Sequence, residues 1–219
     1  MTGAGCGVAS GLTELETVPE CRRIVLTGGP GGGKSTLMAE LRAEDPQAER
    51  WLLVPEAARL LLSAGLVQGS KHFQREVVRL QIALEGGVAR GGDRTEDGPG
   101  RTLICDRGTL DSLAYWRLGG WDDQEFVDLT RMDLEAHRAR YDGVIHLQTS
   151  AIDAEGHYAH GAEAGRKESL RQATEIDRLC GQAWAGHPRY VLVENAGRDW
   201  AAKLQAAHDV LRQWMSTDA

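Results

Sequence analysis

The stretch Gly28-Gly29-Pro30-Gly31-Gly32-Gly33-Lys34-Ser35 limits most strongly what this 219-residue chain can fold into. It has the spacing G-x-x-x-x-G-K-[ST], and a short apolar run, residues 24–26, comes just before it. After it, Leu37, Met38 and Leu41 recur at helical spacing. A strand, a glycine loop and a helix N-terminus together turn backbone N–H groups into one concavity that holds phosphates. The stretch therefore predicts a phosphate-binding loop rather than a glycine turn with a chance lysine.

The side chains at the end of this loop have distinct predicted roles. Lys34 is expected to reach the β- and γ-phosphates of a nucleoside triphosphate, and the Ser35 hydroxyl to bind Mg²⁺. The predicted cofactors are therefore ATP or GTP together with Mg²⁺. The residues predicted to bind the nucleotide here are Gly28, Gly31, Gly32, Gly33, Lys34, Ser35 and Thr36.

Apolar runs and amphipathic segments alternate along the rest of the chain. Strands are predicted at about 22–27, 51–54, 101–105, 143–147 and 190–193. Helices are predicted at about 34–43, 56–62, 73–88, 110–118, 122–140, 166–185 and 200–214, with a polar glycine-rich loop at 91–100. Alternating strands and helices indicate an α/β fold with a parallel sheet covered on both faces. We expect one domain over 21–219 after a flexible tail, 1–20.

Charge and cysteine spacing exclude several classes of protein. The formal net charge of -7, with no basic block to offset it, argues against nucleic acid as the main partner. Four cysteines without metal-binding spacing are typical of reduced thiols in a cytoplasmic protein. No apolar run approaches the roughly 18 residues of a membrane span. The histidines show no metal spacing either, and the sequence leaves open whether the chain forms a homodimer.

Two acids follow predicted strands at the edge where ligands bind in open parallel sheets. Asp106 directly follows the third strand, which is the position of the acid that holds Mg²⁺ in phosphate-loop proteins. The alternative role for Asp106 is to cap the N-terminus of the next helix. Arg107 beside it is expected to grip a phosphate or substrate oxygen, or else to form a surface salt bridge. Glu56 follows the second strand and is either a first-turn acid favoured by the helix dipole or a general base.

Cations and aromatic residues supply further candidates. A loop after the fourth strand is followed by four cations: Arg166, Lys167, Arg171 and Arg178. They either belong to a lid at about 150–178 that closes over the phosphates or form a solvated helix face. Trp116, Trp121 and Tyr115 either stack on a base or pack within the protein.

Together these residues resemble the nucleoside and nucleotide kinase branch of P-loop proteins. More narrowly, the chain resembles the AAA-labelled ATPase/kinase-like domain family, which includes nicotinamide riboside kinase domains and single-domain GTP-binding proteins. The resemblance extends over about residues 22–215. It rests on the glycine loop 28–35, the segments 54–59 and 105–108, and, more weakly, 141–149 and 184–195.

The resemblance implies a P-loop NTPase fold: three αβα layers with a five-stranded parallel sheet of order 2-3-1-4-5, and a lid between the last two strands. It also implies that Glu56 is similar to the catalytic base of deoxynucleoside kinases. Asp106-Arg107 is similar to their metal-and-substrate pair, and Asn195 would lie near the nucleotide base. An arginine-finger motif is absent from the sequence, so a ring-forming mechanical ATPase is not expected.

The sequence thus predicts an ATP- or GTP-dependent kinase that phosphorylates a hydroxyl of a small, nucleoside-like molecule. The predicted catalytic residues are Lys34, Glu56, Asp106, Arg107, Arg166 and Arg171. The alternative is a nucleotide-binding switch with slow hydrolysis and a protein or lipid partner. The acceptor itself cannot be named, because acceptor pockets are assembled from side chains scattered over several helices.

Overall fold

A five-stranded parallel sheet forms the centre of the computed structural model, which describes residues 21–92, 101–153, 168–195 and 199–216. The strand order is β2-β3-β1-β4-β5, and every neighbouring pair is parallel. The strands are β1 (Arg23–Thr27), β2 (Trp51–Val54), β3 (Thr102–Asp106), β4 (Gly143–Leu147) and β5 (Tyr190–Val193). The expected three-layer fold and strand order are confirmed. The predicted tail, 1–20, lies outside the described residues.

Eight helices connect or flank the strands in these described segments. They are α1 (Lys34–Glu44), α2 (Ala57–Ser63), α3 (Lys71–Gly92), α4 (Asp111–Leu118), α5 (Asp123–Thr130), α6 (Leu134–Ala139), α7 (Leu170–Trp184) and α8 (Trp200–Ser216). Within the described segments, no helix has both the length and the apolar character needed to cross a membrane.

Side chains of the central strand alternate between two hydrophobic layers. Ile24 and Leu26 pack with residues of α1 and α8, whereas Val25 between them packs with residues of α3, α4 and α7. All three are fully buried. Because successive side chains of a strand point to opposite faces, this continuous apolar run fits a strand covered on both sides.

Helix boundaries differ from the predicted ones in three places. The single helix predicted over 122–140 is two helices, because Arg131 adopts a left-handed φ of 57° and ends α5, and Asp133 then caps α6. The helix predicted from residue 166 begins in the described structure at Leu170, where Ser169 forms a capping box with Gln172. Helix α3 continues to Gly92, into the predicted loop.

Candidate nucleotide-binding site

The glycine loop joins β1 to α1 and passes very close to the end of β4. Gly28 and Gly33 have left-handed φ angles of 120° and 103°. A Cβ at Gly28 or Gly32 would lie 2.2 or 2.3 Å from the Leu147 carbonyl oxygen. Glycine is therefore required at these positions by backbone conformation and by space. The structure confirms the strand, loop and helix that the motif predicts.

Lys34 is the first residue of α1, and its side chain folds back over the loop. Its Nζ donates hydrogen bonds to the carbonyl oxygens of Gly28 (2.8 Å) and Gly29 (2.9 Å). Burial, followed by the nearby Arg107 charge, lowers the pKa of Lys34. Ser35 and Thr36 follow on the first turn and are exposed. The ammonium group thus lies over the glycine loop, and the hydroxyls of two exposed residues lie at the helix N-terminus.

Asp106 ends β3 beside Leu26 of β1, at the carboxyl edge of the sheet. Its Oδ1 is buried and has no hydrogen-bond partner among the described residues. Burial, together with the Glu56 carboxylate, raises the pKa of Asp106. The N-cap alternative is wrong, because α4 begins at Asp111 with Leu110 in the cap position.

A buried carboxylate oxygen without a hydrogen-bond donor is suited to bind a cation. Magnesium takes oxygen ligands and is usually held by only one or two protein groups plus substrate phosphates. Asp106 and the Ser35 hydroxyl supply such oxygens. The described residues contain no cluster of three or more His, Cys, Asp or Glu side chains suited to a metal.

Arg107 connects three parts of the site. Its guanidinium donates to Glu56 Oε1 (3.0 Å), Asp111 Oδ1 (2.9 Å) and the Gly28 carbonyl oxygen (3.2 Å). The residue is buried and has a left-handed φ of 72°. A surface salt bridge is therefore the wrong interpretation, since this arginine lies inside the molecule and reaches the glycine loop.

Glu56 lies at the N-cap of α2 rather than in its first turn, and its side chain makes no capping bond. The carboxylate faces Arg107 and, at 3.5 Å, Arg59. Burial alone would raise the pKa of Glu56, but Arg107, Lys34 and Arg59 together lower it. Glu56 is thus held ionised beside the glycine loop, as a base must be before it accepts a proton.

Asp111 is a site residue that the sequence did not reveal. Its carboxylate accepts hydrogen bonds from Thr27 Oγ1 (2.7 Å), the Gly108 N–H (2.9 Å) and Trp184 Nε1 (3.2 Å), as well as from Arg107. It is 2% exposed. These bonds hold Arg107 and the turn after β3 in place. The only local sign is an acid in the first turn of α4, which usually indicates no more than a dipole interaction.

Asp177 of α7 is the second residue that was missed. Its Oδ1 accepts hydrogen bonds from the Gly29 N–H (2.7 Å) and the Thr149 N–H (2.8 Å), and His146 Nε2 lies 3.1 Å away. Burial would raise the pKa of Asp177, but His146 and the two backbone donors lower it overall. A single carboxylate therefore fastens α7 to the glycine loop and to the segment after β4.

Asn195 lies just past β5, as expected, but its side chain is already engaged. Its Nδ2 donates to the carbonyl oxygens of Thr149 (2.8 Å) and Ile152 (2.6 Å), and its Oδ1 accepts from Lys203 (2.8 Å). Burial lowers the pKa of Lys203 to about 8. Contact between Asn195 and a base remains a prediction; the observed bonds hold the segment after β4.

The remaining candidates are less closely tied to the loop. Arg166 and Lys167 lie outside the described residues. Arg171 is exposed on α7, and Arg178 is an exposed partner of Glu175 at 2.6 Å. Trp116 is fully buried in the core, where Trp121 and Phe126 pack edge-on against it. Tyr115 differs from both tryptophans, because the Arg107 guanidinium lies 5.5 Å from its ring centre, beside the site.

The parallel sheet of this order, the glycine loop and the acid at the end of β3 define a P-loop NTPase. Comparison with protein families gives the narrower assignment: a family described as AAA domain matches residues 23–203. The chain belongs to this family, which confirms the resemblance found in its motifs. No curated protein matches the sequence significantly.

One similar solved structure is described as "Crystal structure of NadR protein in complex with NR". It is 13% identical in sequence, and its TM-score is 0.64. The match covers 90% of this chain and 52% of the other, so this chain spans about half the length of that protein. At this identity the likeness supports the fold alone.

Proposed function

We propose that this protein is an ATP- or GTP-dependent kinase that transfers a γ-phosphoryl group to a hydroxyl of a small, nucleoside-like molecule. The observation that carries the proposal is the link from Glu56 through Arg107 to the Gly28 carbonyl oxygen. It keeps an ionised carboxylate next to the loop that cradles the phosphates. A phosphoryl acceptor must lie at this junction, in line with the γ-phosphate.

Each group at the junction has a role in this reaction. The loop N–H groups and Lys34 bind and neutralise the phosphates, and Lys34 exchanges its bonds to Gly28 and Gly29 for bonds to the nucleotide. Glu56 accepts the proton of the attacking hydroxyl. Asp106 and Ser35 would hold Mg²⁺, which neutralises charge that develops on the transferred group. Asp111 positions Arg107, and Arg107 positions Glu56.

The alternative function is a nucleotide-dependent switch with a protein or lipid partner. A switch needs the glycine loop and the metal ligands and hydrolyses its nucleotide slowly, whereas a kinase gains directly from an ionised carboxylate that accepts the proton of an acceptor hydroxyl. The buried pair formed by Glu56 and Arg107 therefore favours the kinase. Burying such a pair requires its charges to be well compensated, and Gly28 and Asp111 supply that compensation to Arg107.

The direct test is ADP or GDP release measured against a panel of nucleosides, vitamins and amino alcohols. A kinase should release the diphosphate much faster with one acceptor than without any, and should yield a phosphorylated product by mass spectrometry. A slow rate that no acceptor increases, together with nucleotide-dependent capture of a partner, would support the switch. The control is Lys34→Ala, which should strongly slow acceptor-dependent release.

A further inference from the structure

A cavity of about 440 Å³ lies between α3 and the C-terminal end of α5. Its lining residues all belong to these two helices and to the residue that ends α5; they are Arg75, Arg79, Asp128, Leu129, Thr130 and Arg131. None of them belongs to the nucleotide site described above. The cavity is therefore a separate feature, and the proposed reaction leaves it without a role.

The side chains in this cavity carry an excess of positive charge. Three of its six lining residues are arginines and one is an aspartate, and because Glu76 neutralises Arg75, one net positive charge remains. Arg75 is paired with Glu76 at 2.7 Å. The Asp128 carboxylate accepts a hydrogen bond from Gln124. Arg79 and Arg131 make no ion pair or side-chain hydrogen bond within the described part of the chain, although the whole protein carries a net charge of -7.

The backbone at Arg131 is a second, independent observation. Its φ of 57° is left-handed, a conformation for which glycine or asparagine is the usual choice at the end of a helix. A longer side chain there costs free energy. The N–H of Arg131 still closes the last turn by donating to the Val127 carbonyl oxygen at 2.8 Å. The turn needs only the backbone of Arg131, and its side chain remains available to line the cavity.

We propose that the cavity between α3 and α5 is a second anion site, which binds the phosphate or carboxylate group of a small molecule through Arg79 and Arg131. The planar fork of a guanidinium matches both kinds of oxyanion, and two forks in one cavity can hold a single such group from two sides. Both arginines are exposed, so an anion can reach their guanidinium groups from solvent. This site is distinct from the glycine loop in place and in residues.

The test uses full-length protein carrying Lys34→Ala, which weakens anion binding at the glycine loop. Inorganic pyrophosphate and citrate are titrated separately by calorimetry. Arg79→Gln with Arg131→Gln should weaken binding of at least one probe by 10-fold or more, on the order expected for losing charge-assisted bonds. The control, Arg42→Gln with Arg90→Gln, removes the same charge from α1 and α3 outside the cavity and should change affinity by less than about threefold.

Each probe identifies one chemistry. Loss of pyrophosphate binding assigns a phosphate, loss of citrate binding assigns a carboxylate, and loss of both assigns recognition of the shared oxyanion. The proposal is overturned if neither probe binds up to about 10 mM, if the cavity pair leaves affinity unchanged, or if the control pair weakens binding equally.

A further variant separates a folding defect from a lost site. Arg131→Gly removes the guanidinium and suits the left-handed backbone, so this protein should be at least as stable to urea as the parent. It should nevertheless bind pyrophosphate or citrate as weakly as a single Arg131→Gln variant does. If Arg131→Gly keeps full affinity, the side chain of Arg131 is not a ligand and the proposal fails.

Discussion

Lys34 shows what a nucleotide must displace before it can bind. The Lys34 side chain is almost fully buried, and its ammonium group donates hydrogen bonds to the carbonyl oxygens of Gly28 and Gly29. Those bonds keep a positive charge over the concavity of the loop. A phosphate oxygen is a stronger, charged acceptor, so the exchange is favourable.

We predict that Lys34→Ala slows nucleotide turnover by roughly 30- to 1,000-fold, because one lost electrostatic contact in a transition state costs about 2–4 kcal/mol. Initial rates at saturating nucleotide measure this. Lys71→Ala, which removes an exposed lysine paired with Glu125, should leave the rate unchanged. Turnover at the unaltered rate in Lys34→Ala would contradict the role given to the loop.

Glu56 decides between the two proposed functions. Glu56→Gln keeps the shape and an acceptor for Arg107, but it cannot take up a proton. Acceptor-dependent kcat should fall about 100-fold, at the low end for a general base, because a loose phosphoryl transition state develops little charge on the nucleophile. Nucleotide affinity should stay within a few-fold.

Glu175→Gln is the matched control, because Glu175 is an exposed acid paired with Arg178 on α7. It should leave kcat unchanged. If Glu56→Gln retains full acceptor-dependent turnover, Glu56 is a positioning residue at most, and Asp106 becomes the next candidate for the base.

Single residues were predictable where local sequence determines their role. Lys34 and Asp106 each come after a recognisable apolar run, and the structure places Lys34 at the start of α1 and Asp106 at the end of β3; their roles in binding remain predictions. Asp111 and Asp177 were not predictable, because their partners lie far away in sequence: Thr27 is 84 residues from Asp111, and Gly29 is 148 residues from Asp177. A pattern of neighbouring residues in the sequence cannot indicate contacts between residues so far apart.

Among the elements, strands were easier to predict than helix ends. Each strand contains a short apolar run, and burial on both faces makes that run nearly continuous in the inner strands β1, β3 and β4. The break between α5 and α6 has no glycine or proline at its centre, since Arg131 itself adopts the left-handed conformation. The sequence signals that normally end a helix were therefore missing at that residue.

Helix α7 is predicted to stabilise the glycine loop through Asp177. Asp177→Asn weakens the bonds from Gly29 and Thr149 and removes the charge beside His146, so we expect a loss of about 2–3 kcal/mol in the free energy of unfolding. Nucleotide affinity should fall as well, because the loop loses an anchor. Urea unfolding and calorimetric titration with ATP measure the two effects.

Asp209→Asn serves as the control, since Asp209 is an exposed acid on α8 that accepts a bond from Gln205. It should change neither quantity. A loss of stability in Asp177→Asn with unaltered nucleotide affinity would show that Asp177 supports the fold without positioning the loop.

At the scale of the whole molecule, one buried histidine couples stability to pH. His137 is fully buried, and its ring nitrogens contact Thr109 and Thr130. Burial, followed by the Arg140 charge, lowers the pKa of His137 from 6.5 to about 4. The unfolded chain therefore binds the proton more readily, so this stability is complete above about pH 6.5 and is lost as the pH falls towards 4.

We predict that the free energy of unfolding of the parent protein falls by about 2 kcal/mol more between pH 7 and pH 5 than that of His137→Gln. Urea unfolding at the two pH values measures the difference. His72→Gln, at an exposed position on α3, should keep the pH dependence of the parent. An identical pH dependence in His137→Gln and the parent would contradict the burial argument.

The fold as a whole was predictable from the sequence, whereas the hydrogen bonds that join its helices and strands to one another were not. Alternating strands and helices were enough to predict three layers, because few arrangements bury so many apolar strands. The polar bonds that join one layer to another depend on the final packing. Tyr141, for example, donates to Glu85, which lies 56 residues away on α3.

The attachment of α7 to the glycine loop limits which side chains of this helix can move relative to the phosphate-binding loop. Asp177 grips the loop, Trp184 bonds to Asp111, and the capping box fixes the first turn at Ser169. Helix α7 is therefore fastened to the phosphate-binding loop and to the turn after β3. Arg171 and Arg178 lie on this helix, so neither can move towards the phosphates unless the bonds of Asp177 break.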